Sequence, residues 1–218
     1  MMKKRNAGFA CAFVPLAAGC YSPQAIPVIN YDSVSLKQDI DGCRVAIEPY
    51  DTSKECNVFN NDVRARGYLP IQVCIWNCND LEELIFNPEA VSFIDNTGIN
   101  WQQVNGMRMA QSFHRIPEVE GLAIGVISPI MGLGFAMGAR DYNTRMDTDY
   151  ASKQVKESEL IIPGSNVNGF VYFRVPEEDD KSKSEVLKRL KNGTIEVEVF
   201  EREEGTKRFS FLVEANKE

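Results

Sequence analysis

Runs in which apolar and polar residues alternate occupy two stretches of the chain, separated by residues 105–157, which have a different character. Cys43-Arg44-Val45-Ala46-Ile47-Glu48 has the period of two that lays successive side chains on opposite faces of a strand. Cys56, Phe59 and Val63 then fall at helical spacing, with Ser53 placed to cap a helix and Gly67 to end it. Leu69–Cys78 returns to period two. Leu69, Ile71, Val73 and Ile75 share one face and Gln72, Cys74 and Trp76 the other, and bulk on both faces predicts a central strand. Glu83–Phe86 and Ala90–Ile94 are two further candidates. Asp95-Asn96-Thr97-Gly98 is a turn from which Ile99–Val104 returns, predicting a hairpin. Beyond the interruption, Glu159–Ile162 ends at Pro163-Gly164 and Val167–Val175 alternates. Ser184–Lys191 reads as a short helix stopped by Asn192-Gly193. Ile195, Val197 and Val199 point inward against Glu196 and Glu198, and Phe209, Phe211 and Val213 repeat the pattern after the turn Glu203–Thr206.

Roughly eight short strands punctuated by turns predict a mainly β protein, an antiparallel immunoglobulin-like β-sandwich. The Cys…Trp…Cys spacing of true immunoglobulin domains is missing, so the expectation concerns architecture. Residues 34–104 and 158–218 are expected to form the sandwich, with Trp76 and Trp101 as core anchors. Residues 105–157 are expected to be a helical insertion whose flanks, Met107–Ile116 and Asp141–Val155, are polar enough to meet water. Residues 20–33 contain Pro and Asn without periodicity and read as a tether.

Gly121–Ala139 runs for 19 residues without a charge before Arg140 ends it. Gly121 with Gly125, and Gly134 with Gly138, have the G-x-x-x-G spacing that lets helices approach closely in a membrane. A single span would put strands of one sandwich on opposite sides of a bilayer, and Pro129 cannot continue a helix cleanly. A hairpin bending at Ser128-Pro129 is therefore expected, each arm about 14 Å long as helix. Three readings stay open: an apolar insertion packed within the fold, contact with membrane or with copies of itself, and a docking patch for a protein partner. Gly121, Gly125, Pro129, Gly134 and Gly138 are the contact residues in the last two.

The amino end places Lys3, Lys4 and Arg5 before the apolar run Ala7–Ala18, too short to span a bilayer and closed by small residues, as in an export signal. Leu16-Ala17-Ala18-Gly19-Cys20 resembles the lipobox of bacterial lipoproteins. The resemblance implies cleavage after Gly19 and acylation of Cys20, with an anchor in the cell envelope. Tyr21 stands where an Asp retains such proteins at the inner membrane, so an outer-membrane anchor facing the periplasm is expected. Cleavage removes three cations and no acid, taking the net charge from −7 to about −10. An acidic chain has no basic patch for phosphate, so nucleic acid is not expected as a partner.

Cysteines 43, 56, 74 and 78 remain, as disulfides or buried thiols. Cys74 and Cys78 on one strand lie about 13 Å apart, beyond disulfide reach, so a bridge would join one of them to Cys43 or Cys56. Their spacings do not match zinc knuckles. Asp39-Ile40-Asp41-Gly42 and Glu177–Asp180 carry the carboxylates a calcium ion wants but read first as a turn and a solvated loop. Met107, Met109, Met131, Met137 and Met146 invite a copper(I) idea but read first as apolar filler. His114 is a lone histidine, no catalytic residue is assigned, and no cofactor or metal is expected. The chain also resembles envelope lipoproteins whose immunoglobulin-like sandwich is interrupted by a glycine-rich apolar insertion, through its signal, its element order and Pro163-Gly164-Ser165 followed by Gly169-Phe170-Val171-Tyr172-Phe173. No activity comes with that resemblance. The expectation is a non-enzymatic, membrane-anchored binding or scaffold module. The alternatives are an envelope hydrolase or metal carrier, or part of an oligomeric envelope assembly.

Overall fold

The computed structural model describes residues 21–51, 55–119, 122, 126, 129–155, 157–176, 188–202 and 205–213. In chain order the strands among them are β1 (Leu36–Ile40), β2 (Cys43–Pro49), β3 (Tyr68–Asn77), β4 (Leu84–Ile94), β5 (Gln102–Val104), β6 (Glu159–Ile161), β7 (Asn166–Arg174), β8 (Thr194–Glu201) and β9 (Gly205–Leu212). They form a sheet of order β1-β2-β3-β7-β5 and a sheet of order β6-β4-β8-β9. Every pairing is antiparallel. The protein is mainly β, and the face-to-face sheets are compatible with an immunoglobulin-like sandwich. Val45, Ile47, Leu69, Ile71, Val73, Val171 and Phe173 of the first sheet bury against Phe86, Phe93, Ile195, Val197, Phe209 and Phe211 of the second. Alternation fixes this face, because a one-residue slip would turn the whole apolar set to solvent.

Several local expectations are corrected. Glu83–Phe86 and Ala90–Ile94 are halves of one strand, β4, whose register against β8 shifts between Phe86 and Val91. Pro88 falls at the irregularity, where its carbonyl accepts from Gln103 Nε2 at 2.9 Å. The hairpin after Asp95 closes only as far as an Ile94–Asn100 bridge. The chain then crosses at Trp101 and β5 pairs with β7 in the opposite sheet. In place of one helix after Ser53 there are two 3₁₀ turns, Glu55–Phe59 and Val63–Arg66, separated where Asn60 takes φ 56°. Gly67 ends the second at φ 75°. Trp101 anchors the core, but Trp76 is half-buried on the far face of β3, edge-on to Tyr31 at 5.5 Å. Ser53 and residues 177–187 lie outside the described residues, and 188–190 are helical.

A third layer covers the outer face of the first sheet. Helices α1 (Gly106–Gln111) and α2 (Pro129–Lys153) pack together. Met109, Ala110, Met146 and Tyr150 from them enclose a second core with Val58, Phe59, Val63, Phe170 and Tyr172. Phe59 is its hub, edge-on to Tyr150, Phe170 and Tyr172 at 5.2, 5.1 and 5.8 Å.

The expected tether is also corrected. Residues 21–30 have no regular structure, yet they are laid onto the same outer face. Ile29, with Tyr31 and Val34, packs on Ala46, Cys74 and Trp76. Gln72 Nε2 donates to the Pro27 carbonyl at 2.7 Å. Aperiodic segments read as linkers because burial is inferred from repetition, whereas here single residues fill separate sites.

Candidate functional site

The two halves of α2 have opposite characters. The carboxyl half is fastened to the fold. Tyr150 donates its hydroxyl to the Phe59 carbonyl at 2.8 Å, and Tyr172 donates to the Tyr150 carbonyl at 3.0 Å. Lys153 donates to the Val58 carbonyl at 2.7 Å and is ion-paired with Asp149 one turn back. Asp149 also accepts from the Tyr21 hydroxyl at 2.6 Å, and the Tyr21 ring stands edge-on to Tyr142 at 5.3 Å. All three polar groups are buried. A buried ion pair persists only where hydrogen bonds satisfy its remaining valences, and the Val58 carbonyl and Tyr21 do so. Burial raises the Tyr21 hydroxyl's pKa, with the bond to Asp149 adding to the effect. Burial lowers the Lys153 pKa against the opposing pull of Asp149.

The amino half is dressed for different surroundings. Pro129 is its first residue, where a missing N–H breaks no helical bond. The helix does not stop at Arg140 as a short hairpin arm would. It runs 25 residues to Lys153, because the polar residues that end the apolar run continue a helix well, and Asp141 pairs with Arg145 at 2.8 Å. Leu133 and Met137 are 65 % and 63 % exposed. Upstream, Ile116, Val119, Leu122 and Val126 are 58–84 % exposed. A Cβ added at Gly134 would meet nothing within 4 Å. Gly138 is half-buried, while Gly121 and Gly125 lie outside the described residues. Leu122, Val126, Leu133 and Met137 of this run are therefore exposed, while Ala139 is buried and Phe135 half-buried.

Residues just before Ile116 tie the upstream stretch to the middle of α2. The Arg115 backbone N–H donates to Asn143 Oδ1 and its carbonyl accepts from Asn143 Nδ2, both at 2.9 Å. The Arg115 guanidinium lies 4.1 Å from the centre of the Tyr142 ring. His114 Nε2 is 2.7 Å from Asp147 Oδ1, which makes it a structural tie of the same joint. Tyr142 thus meets Tyr21 and Arg115, so the amino end and the root of the apolar stretch converge on one turn of helix.

Among the described cysteines, Cys43 stands opposite Asn77 and so beside Cys78, while Cys74 faces the other side of the sheet. Cys43, Cys74 and Cys78 are free thiols. Cys43 faces the sandwich core and Cys74 the outer face, and burial pushes both thiols up to about 12. Cys78 is exposed, a correction to the buried expectation that follows from its place just past the end of β3. Cys56 sits in the first 3₁₀ turn, and Cys20 lies outside the described residues with the rest of 1–20. Asp39 is paired with Arg44 at 2.8 Å. Asp41 and Gly42 form the positive-φ turn between β1 and β2, and Glu177–Asp180 lie outside the described residues. Among the described residues no cluster of three His, Cys, Asp or Glu could hold a metal ion. Met107 and Met137 are exposed while Met109 and Met146 are in the second core, so these thioethers do not gather at one site.

No protein-family model matches the chain, and no curated protein matches it. Among solved structures, the yjhA protein from Bacillus subtilis matches at 9 % identity and TM-score 0.36, covering 75 % of this chain and 78 % of that one. A DUF4426 family protein from Pseudomonas aeruginosa matches at 10 % identity and TM-score 0.30, covering 83 % of this chain and 98 % of that one. No helix of the described residues is long and apolar enough to cross a membrane.

Proposed function

We propose that the protein is a non-enzymatic lipoprotein of the cell envelope, cleaved after Gly19 and acylated on Cys20. It acts as a binding or scaffold module whose contact surface is the glycine-rich apolar stretch. The observation that carries this reading is the outward display of Ile116, Val119, Leu122, Val126, Leu133 and Met137 on a fold that already encloses two apolar cores. Several large apolar side chains exposed within one segment mark a site of contact. The buried polar groups support a structural role, since Asp149, Lys153 and Tyr21 are consumed in fastening α2 and the amino segment. An anchor in the outer membrane, facing the periplasm, fits Tyr21 following the acylated residue. A second reading, self-association through α2, is favoured by the open space at Gly134.

The test is the mass of the mature protein and its partition into membranes. The expected result is a chain beginning at Cys20 with added acyl mass that fractionates with membranes, and a Cys20→Ser chain that loses both properties. A full-length or unacylated chain released in soluble form would sink the reading. Deleting residues 119–140 separates the anchor from the contact surface: the sandwich is expected to stay folded while its binding in the absence of lipid is lost.

A further inference from the structure

Tyr21, the residue after Cys20 in sequence, and the root of the exposed apolar stretch meet at the same part of α2. Tyr21 is buried against α2 between Tyr142 and Asp149. Cys20 directly precedes it in sequence. Met137 lies five residues before Tyr142, about 7.5 Å along the helix axis. The other strand of the stretch leaves the same point, because Asn143 grips both backbone groups of Arg115 one residue before Ile116. From Pro129 to Arg140 the helix rises about 16 Å, which matches the ~15 Å hydrocarbon depth of one leaflet. At the root stand Tyr21, Tyr142 and Arg115, with Arg140 exposed at the end of the uncharged run. Of these, the exposed Arg140 is placed to meet a phosphate headgroup, whereas Tyr21 is buried and its hydroxyl is taken by Asp149.

We infer that Ile116, Val119, Leu122, Val126, Leu133 and Met137 are seated in the lipid bilayer, in the same leaflet as the acyl chains on Cys20. The domain is then held at the membrane in a fixed orientation by the amino half of α2, with the body of the two sheets, β9 included, outside the bilayer. This rests on the acylation of Cys20 proposed above. The occupant is lipid because the chain end that carries the acyl group is docked beside the apolar side chains. Anchoring therefore delivers the surface to the bilayer with no linker to hold it off, and a site already at the membrane has its effective concentration raised by the tether.

The experiment places one tryptophan on each side of the domain in the acylated, full mature chain: Met137→Trp on the apolar stretch and Arg208→Trp on the opposite sheet. Arg208 is a suitable control because its side chain is 79 % exposed on β9. Each variant is bound to vesicles of phosphatidylethanolamine and phosphatidylglycerol, with and without brominated acyl chains, and the quenching of the two native tryptophans is subtracted. Leu133→Trp provides a second position should Met137→Trp fold poorly. The expected result is quenching at 137 or 133 at least about threefold that at 208, as separation across the domain requires for a short-range quencher. An acylated, vesicle-bound chain quenched equally at 137, 133 and 208 overturns the proposal alone. The stretch would then face a protein or a second copy while the anchor stands. A chain without acyl mass overturns the proposal together with the reading beneath it.

Discussion

Replacing Tyr21 by phenylalanine removes one oxygen and nothing else from the joint between the amino segment and α2. The lost hydroxyl donates to the Asp149 carboxylate at 2.6 Å with both groups buried. A hydrogen bond to a charged group contributes about 1.5–3 kcal/mol, and Asp149 keeps Lys153 as a partner. The substitution is therefore expected to cost about 1.5–3 kcal/mol, at the lower end if water reaches the vacated site. Tyr21→Ala also removes the ring packed on Tyr142 at 5.3 Å, and truncating a buried aromatic costs about 3–5 kcal/mol. Urea unfolding of the soluble Cys20→Ser chain measures both, as a lower midpoint at unchanged slope. The pH dependence adds an independent signature. The folded-state pKa of Tyr21 is raised above its unfolded value, so its contribution is fully present below the unfolded pKa of about 10 and fades as pH rises above it. Wild type should lose more stability than Tyr21→Phe between about pH 9 and 11. Equal stability of wild type, Tyr21→Phe and Tyr21→Ala would refute the docking, returning residues 21–30 to a loose leader.

Gly134→Ala should raise stability by about 0.5–1 kcal/mol, since glycine is unfavourable inside a helix and nothing lies within 4 Å of the added Cβ; thermal unfolding measures it, and destabilisation would place an unseen neighbour there. If the protein self-associates through this face, the same variant should shift sedimentation towards the monomer. Asp95→Asn should cost about 2–4 kcal/mol by equilibrium unfolding, because Asp95 accepts from Thr97, Ile99 and Trp101 and faces Arg189 at 3.2 Å. Burial works against the Asp95 charge, but those hydrogen bonds outweigh it and lower the pKa. Its contribution is present above the unfolded pKa of about 3.9 and disappears as pH falls below it, so the variant should lack that acid-limb loss. Maleimide on the native Cys20→Ser chain should modify Cys78 and spare Cys43 and Cys74 until the chain unfolds, as peptide mapping will show; equal rates would contradict their burial.

Period-two segments were legible where one face carries uninterrupted bulk. Leu69 to Ile75 and Phe209 to Phe211 land in the core as their spacing requires. β1 was not legible, because Leu36-Lys37-Gln38-Asp39-Ile40 is a half-buried edge whose alternate positions carry polar groups. The turn at Asp95 could be read, but pattern tells a strand which face to bury and not which neighbour to join, so the pairing of β5 with β7 was hidden. The second core escaped because it collects single aromatics from distant segments, such as Phe59, Tyr150 and Tyr172. At the site, the uncharged run was conspicuous, yet a helix apolar on all sides does not declare whether a fold covers it. The one signal for the docked amino end was the Asp149–Lys153 spacing on α2, which reads equally well as a solvated pair.

The joint between Tyr21 and Asp149 spans 128 positions of chain, and Gln38 reaches the Ser210 carbonyl across 172. A polypeptide made from its amino end can pair β1, β2 and β3 early, since those strands are sequential neighbours. Residues 21–30 and β4 can cover part of each face early, but the outer face is closed only when α2 has emerged and the inner face only when β8 and β9 have. For most of its synthesis the growing chain therefore carries a three-stranded sheet with apolar surface still open on both sides. Chaperones that shield β-rich intermediates should be needed most in that interval, and truncations ending before Phe209 should aggregate rather than fold in part.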